Sequence, residues 1–319
     1  LSRGSFISGP EFPSVPVSMT LLKESAAPYI LPADSPTRVR ANLELAFEFD
    51  EPTHSTILAS STQTPPLKVV RAFTQQDGAA LVHLHNVSGG LLGGDRLGLA
   101  IRVGARAAAQ LTTTSATRIY RPRSESAATI QSTEITLAEN AFLEYLPDAI
   151  IPFAGVRYEQ RTKIHLAPGS GLFSWEILAP GREASGEIFA YDSVEMHAEI
   201  SAMGSPIAIE QIHLEPRLRA LTSAARLGHY RYWATFYICR VGLAPAAWIA
   251  AENHLREAAR TLTRPGETLW SISTLSAHGL AIRCLAVQGR EVLPGLQSLW
   301  RSAKLHLFGT EAFPPRKVP

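Results

Sequence analysis

Cysteine is scarce in this chain, long apolar runs are missing, and neither charge sign dominates. Its two cysteines, Cys239 and Cys284, lie far apart in apolar, strand-like contexts. They read as buried free thiols, not as a disulfide or a metal pair, which suits a reducing compartment. No stretch reaches the roughly 18 to 20 apolar residues of a membrane helix, and no basic segment followed by an apolar one opens the chain. The expectation is a soluble, cytoplasmic protein with no membrane contact. Thirty basic against 28 acidic residues give a formal charge of +2, and no basic block provides a footprint for nucleic acid.

Catalytic signatures are missing as well. There is no G-x-S-x-G elbow and no H-E-x-x-H helix, and the ten histidines are scattered. The glycine-rich run Ser88 to Asp95 invites comparison with a phosphate cradle. It lacks the Lys-Ser/Thr that closes a P-loop onto a helix, and no G-x-G-x-x-G opens one. The chain is therefore not expected to be an enzyme.

What is present is a core-forming composition, 45% hydrophobic over 319 residues, organised by two-residue alternation. Residues 1–38 are rich in Ser and Pro and read as a tail or linker, with Met19 a possible start of translation. From Asn42 the pattern turns two-fold, with Leu43, Leu45, Phe47 and Phe49 on one face and Asn42, Glu44 and Glu48 on the other. The same alternation recurs through Leu97 to Val103, Val156 to Leu166 and Val194 to Ile200. Short strands from about 40 to 240, and again from 268 to 287, predict a mainly β fold. It is expected to be a many-stranded, largely antiparallel single domain, β-helix-like or built of layered sheets. Two late helices interrupt it. Trp248, Ala251, Leu255, Ala258 and Leu262 form one helical stripe after Pro245, and Leu296, Leu299, Trp300, Ala303 and Leu307 form another before Gly309. The expected division is a tail over 1–38, a β-rich domain over 39–310 and a short C-terminal tail over 311–319.

Several side chains are candidates for chemistry. The glycines between Asn86 and Arg96 permit a tight excursion that can aim Asp95 inward, either to accept backbone N–H groups or to ligate a cation. His83 and His85 share one face of a strand and with Asp95 make a weak nickel, zinc or copper signal beside the plainer reading of a polar strand face. In the strand from Leu172 to Leu178, Phe173, Trp175 and Ile177 face one way and Ser174 and Glu176 the other. Glu176 is then either a buried acid needing a partner or an exposed carboxylate.

Five blocks in order resemble the urease accessory protein D family (UreD, also called UreH). They are Ser88 to Leu97 (SGGLLGGDRL), Leu111 to Arg121 (LTTTSATRIYR) and Leu143 to Asp148 (LEYLPD), then Trp175 to Leu178 with Gly181-Arg182 and Ser185 to Glu187, and finally Arg283 to Leu285 with Leu299-Trp300. The resemblance covers about residues 39–310, and any one block is weak where five in sequence are specific. It implies a β-rich, non-catalytic scaffold with two helices that binds the accessory proteins UreF and UreG and the urease apoprotein. Such a scaffold helps nickel pass from the GTPase UreG to the urease active site along a polar passage. By position, Asp95 and Glu176 become wall carboxylates of that passage, Arg118 a basic wall residue and Glu210 a weaker candidate.

The residues fit that expectation, because transit needs ligands that hold a cation loosely at several stations. Dispersed carboxylates, hydroxyls such as Thr113 and Thr114 and an occasional imidazole do so better than a Cys/His cage. No tightly bound cofactor is expected, only passing Ni2+. Apolar residues on the late helices, Trp248, Leu296, Leu299 and Trp300, are candidates for the UreF-facing side. The alternative function is a β-rich carbohydrate- or protein-binding module with no role in metal delivery, and an enzyme comes third.

Overall fold

In the computed structural model, residues 39–122 and 128–315 are described. The expectations for residues 1–38 and for positions 316–319 of the tail lie outside them. Alternation does its work in eighteen strands among the described residues. They are β1 (Arg40–Asp50), β2 (Ser55–Gln63), β3 (Leu67–Lys68), β4 (Ala72–Thr74), β5 (Ala80–Asn86), β6 (Arg96–Val103), β7 (Ala108–Thr113), β8 (Thr117–Ile119) and β9 (Thr129–Leu137) in the first half. Then come β10 (Phe142–Tyr145), β11 (Ile150–Pro152), β12 (Arg157–Leu166), β13 (Gly171–Leu178), β14 (Ser193–Ala202), β15 (Ser205–Leu214) and β16 (Tyr232–Arg240). Helix α1 (Pro245–Leu262) leads to β17 (Thr268–Thr274) and β18 (Gly279–Ala286), and helix α2 (Val292–Phe308) follows.

Two sheets result. One runs in the order β15-β14-β12-β9-β6-β1-β2, the other β17-β18-β16-β13-β10-β7-β5-β3 with β4, β8 and β11 attached. The expected antiparallel pairing is corrected here, since both sheets are mixed. Strands β1, β6, β9, β12 and β14 pair in parallel, as do β5, β7, β10 and β13, while antiparallel pairs occupy the flanks. From β5 to β14 the chain switches between the two sheets, so each return to a sheet repeats the previous direction. Alternation misled because it reports which faces are wet, not which way neighbours run. The outer face of the first sheet is polar, as on an antiparallel sheet with one solvated face.

The inward residues of the two sheets, among them Leu45, Ile101, Ile135, Ile164, Val82, Leu111 and Leu172, make the principal core. A second core lies on the far side of the second sheet, where Phe173, Trp175, Phe236 and Ile282 meet α1 and α2. Both helices match the predicted stripes. Pro245 occupies the first turn of α1, where its missing N–H is harmless. Gly309, at φ +68°, ends α2 by donating its N–H to Leu305 O.

This packing also corrects the choice of partner-facing residues. Trp248, Leu296, Leu299 and Trp300 are all buried in the second core, because an amphipathic helix first covers its own sheet. The large apolar side chains that α1 and α2 turn outward are Ile249, 57% exposed, and Leu305, 60% exposed.

Candidate functional site

Between the sheets the apolar packing is interrupted at mid-height. On the first sheet Leu99, Thr133, Thr162, Ala198 and Glu210 lie in one cross-strand row, and Leu97, Gln131, Gln160, Met196 and Ile212 in the next. On the second sheet Leu111, Tyr145, Ser174 and Tyr237 form one row, and Glu176, Thr235 and Arg283 another. Period-two alternation aims these side chains inward. The result is a polar layer separating the principal core from a smaller apolar cluster around Tyr158, Leu178, Tyr191 and Val194.

Glu176 is the centre of this layer. Its Oε1 accepts hydrogen bonds from Gln160 Nε2 and, at 3.3 Å, from Thr162 Oγ1. Gln160 Oε1 accepts in turn from the Tyr158 hydroxyl at 2.8 Å. Burial pushes the Glu176 carboxyl up to about 7, the negative charge of Glu210 adds to the shift, and the two hydrogen bonds oppose it. Thr235, its neighbour in register, has a buried hydroxyl without a hydrogen-bond partner among the described residues.

Toward the flank the layer becomes charged and wetter. Glu210 accepts from Tyr237 OH at 2.6 Å and from Arg283 Nη2 at 3.0 Å. At the other end, a cavity of about 60 Å3 between the sheets is lined by Gln131, Tyr145, Thr113 and His85, with Leu97 and Leu99.

Of the remaining candidates, Thr113 and His85 line that cavity, and the others separate from this layer. Asp95 is 3% exposed, and its two oxygens accept the backbone N–H groups of Val39 at 3.3 Å and Leu92 at 2.8 Å. That is the turn-capping geometry. Gly94 at φ +92° and Gly93, whose Cβ would stand 2.3 Å from Pro122 Cα, make the turn possible. Arg118 is exposed on β8 between the inward-facing Thr117 and Ile119, so it does not line the interior. Thr113 exchanges hydrogen bonds with Asp148, donating to Oδ2 and accepting from the backbone N–H. Thr114 is exposed beyond the strand end. His83 is half-buried with its ring edge-on to Phe73. Burial, with His83 and Lys68 nearby, holds His85 below the usual imidazole range. Among the described residues no group of three or more His, Cys, Asp or Glu is arranged to hold a metal.

A second buried acid, unremarked in the sequence reading, sits beneath α2. Glu144 is 2% exposed and accepts from Trp300 Nε1 at 2.8 Å and Gln110 Nε2 at 2.7 Å, with Lys304 Nζ 3.0 Å away. Gln110 also donates to Phe313 O, which ties down the segment after α2. Burial raises the Glu144 carboxyl, and Lys304 and the hydrogen bonds work against that shift. A helix-borne Lys buried by its own stripe, four residues after Trp300, was the available signal.

Fold and interior together define a β-rich, two-sheet scaffold with a polar middle layer and helices that serve its packing. A family model described as UreD urease accessory protein matches residues 39–319. The chain belongs to this family, which is one of accessory proteins and not of enzymes. A urease accessory protein UreD of Herpetosiphon aurantiacus is 46% identical over 279 residues, covering 88% of this chain and 97% of the relative. One from Marinobacter nauticus is 33% identical over 288 residues, covering 89% and 93%. Among the described residues no helix is long and apolar enough to cross a membrane.

Proposed function

We propose that the protein is a cytoplasmic urease maturation factor. It binds the urease apoprotein together with UreF and UreG, and it helps Ni2+ pass from UreG to the urease active site. The observation that carries this reading is the polar layer between the sheets, centred on Glu176 and reaching Glu210 at the flank. Carboxylate, amide and hydroxyl oxygens in series suit an intermediate cation that must be held weakly and released. Glu176 and Glu210 are its carboxyl stations, and Thr133, Thr162, Gln131 and Gln160 its hydroxyl and amide ones. Asp95 supports the route from outside by fixing the turn that leads into β6, and Arg118 has no part in it.

The test is co-expression of apo-urease with the other accessory proteins, with this chain, without it, and with its Glu176→Gln form. Nickel per urease active site should be high only with the parent chain. Equal nickel content with and without the chain would sink the function. Full loading by Glu176→Gln would sink the route while leaving the function standing.

A further inference from the structure

The polar layer ends at the flank of the sandwich, where the edge strand β15 of one sheet meets β18 of the other. We propose that Arg283 is the gate of this layer, a guanidinium that closes on Glu210 and that an incoming divalent cation displaces. The proposal rests on the nickel-route reading and adds to it the residue that controls entry from the flank.

Three observations carry it. The first is alignment. On the second sheet Glu176, Thr235 and Arg283 follow one another in a single cross-strand row, and on the first sheet Thr162, Ala198 and Glu210 do the same. Two strand spacings, roughly 9–10 Å, separate the ends of each row. The residue between them is short in both rows. At the inner ends Thr162 Oγ1 donates to Glu176 Oε1 at 3.3 Å. At the outer ends Arg283 donates to Glu210 Oε1, through Nε at 3.2 Å and Nη2 at 3.0 Å. The inner carboxyl and the outer ion pair thus belong to one layer, and the charge of Glu210 is felt at Glu176.

The second is how Glu210 is occupied. Both Arg283 bonds fall on Oε1, and Tyr237 OH donates to Oε2 at 2.6 Å. With both oxygens engaged and a positive charge already beside them, Glu210 is a poor ligand for a further cation until a partner leaves.

The third is which partner can leave. Tyr237 is 4% exposed and fixed in the principal core. The Arg283 side chain is 45% exposed, and its row ends one strand further out at Ser271, exposed on the edge strand β17. The guanidinium can therefore turn into water without crossing the core. A half-exposed ion pair is weakly held, so a divalent ion with twice the charge competes for the carboxylate. A monovalent ion offers no more charge than the guanidinium it would replace and lacks its two hydrogen bonds. Once Arg283 has turned out, Glu210 is the first station and Glu176 the next.

Equilibrium dialysis of the full chain against Ni2+, with thermal melts to establish folding, tests the gate. Arg283→Gln and Arg283→Met remove the charge, and each should bind Ni2+ on the order of fivefold tighter than the parent, the gain from no longer displacing a half-exposed pair. Arg283→Lys keeps the charge and should bind as the parent does. The gain should vanish when Glu210→Gln is added. A pair that only fastens the sheets would lower the melting temperature and leave nickel affinity unmoved. Equal affinity in the parent and the folded Gln and Met variants, or a gain that survives Glu210→Gln, would overturn the gate. Glu176→Gln and Glu210→Gln, each in the Arg283→Met chain, separate the gate from the route. Nickel binding unchanged by both would remove the route and the gate with it, whereas binding weakened by both, with Arg283→Met itself no tighter than the parent, would remove the gate alone.

Discussion

Glu144 and Glu176 lie on neighbouring strands of the same sheet, on opposite faces, and burial raises both carboxyls while their partners differ. Glu144 faces the helices and is met by a lysine, an indole N–H and an amide. Both of its oxygens are engaged, and the network clamps α2 and the chain after it to the sheet. Glu176 faces the other sheet, where two neutral donors bond a single oxygen and the charge of another carboxylate, Glu210, adds to its upward shift. A buried acid beside a cation is a fastening. A buried acid beside neutral groups and a like charge is poised to change its charge or accept a cation. Partner chemistry, not depth, separates the two roles.

The comparison breaks most decisively at Lys304. Lys304→Met keeps the volume and removes the cation, which leaves the buried Glu144 carboxyl without its counter-charge and with only the indole and amide donors. Loss of about 3–5 kcal/mol is expected, read as a lower denaturant midpoint or as insoluble expression. A variant as stable as the parent would show that the indole and amide suffice.

Asp95 sharpens the contrast from a third position, as an acid held by backbone alone. Asp95→Ala removes both acceptors and should cost roughly 2–3 kcal/mol, since hydrogen bonds to a charged group exceed neutral ones. Its defect in urease activation should track that loss and recover at lower growth temperature. An activation defect at unchanged stability would return Asp95 to the passage wall.

The smallest effect concerns pH. The folded Glu176 carboxyl keeps its proton up to about 7, against an ordinary 4.5. The folded form therefore binds more protons than the unfolded one between those values, and stability falls as pH rises through the window. Glu176→Gln retains an acceptor for Gln160 and removes the titration. Above pH 7 it should be more stable than the parent by about 1–2 kcal/mol, discounted for partial solvent access. The difference should vanish below pH 4.5, as thermal melts from pH 4 to 8 would reveal. Parallel melting curves across that range would mean that Glu176 is ionised in the fold throughout.

Part of the candidate site was legible in advance. Alternation through Leu172 to Leu178 put Glu176 opposite Trp175, and the glycine run located the Asp95 turn. The rest of the layer was visible only as interruptions. Gln160 and Thr162 fall among the inward positions of β12 between Tyr158 and Ile164, and Gln131 and Thr133 do the same in β9. Such breaks carry meaning only once a second sheet is known to face them.

The sequence alone determined the strands, the two helices with their buried stripes and the family, because period-two and 3.6-residue patterns and ordered motifs are local properties of the chain. The tertiary structure decided strand direction, the burial of Trp248 and Trp300, the separation of Arg118 from the interior, and the different partners of Glu144 and Glu176. Each of these depends on which residues distant in the chain meet across a sheet or beneath a helix. That is set by how the chain crosses between the two sheets, and no local periodicity encodes it.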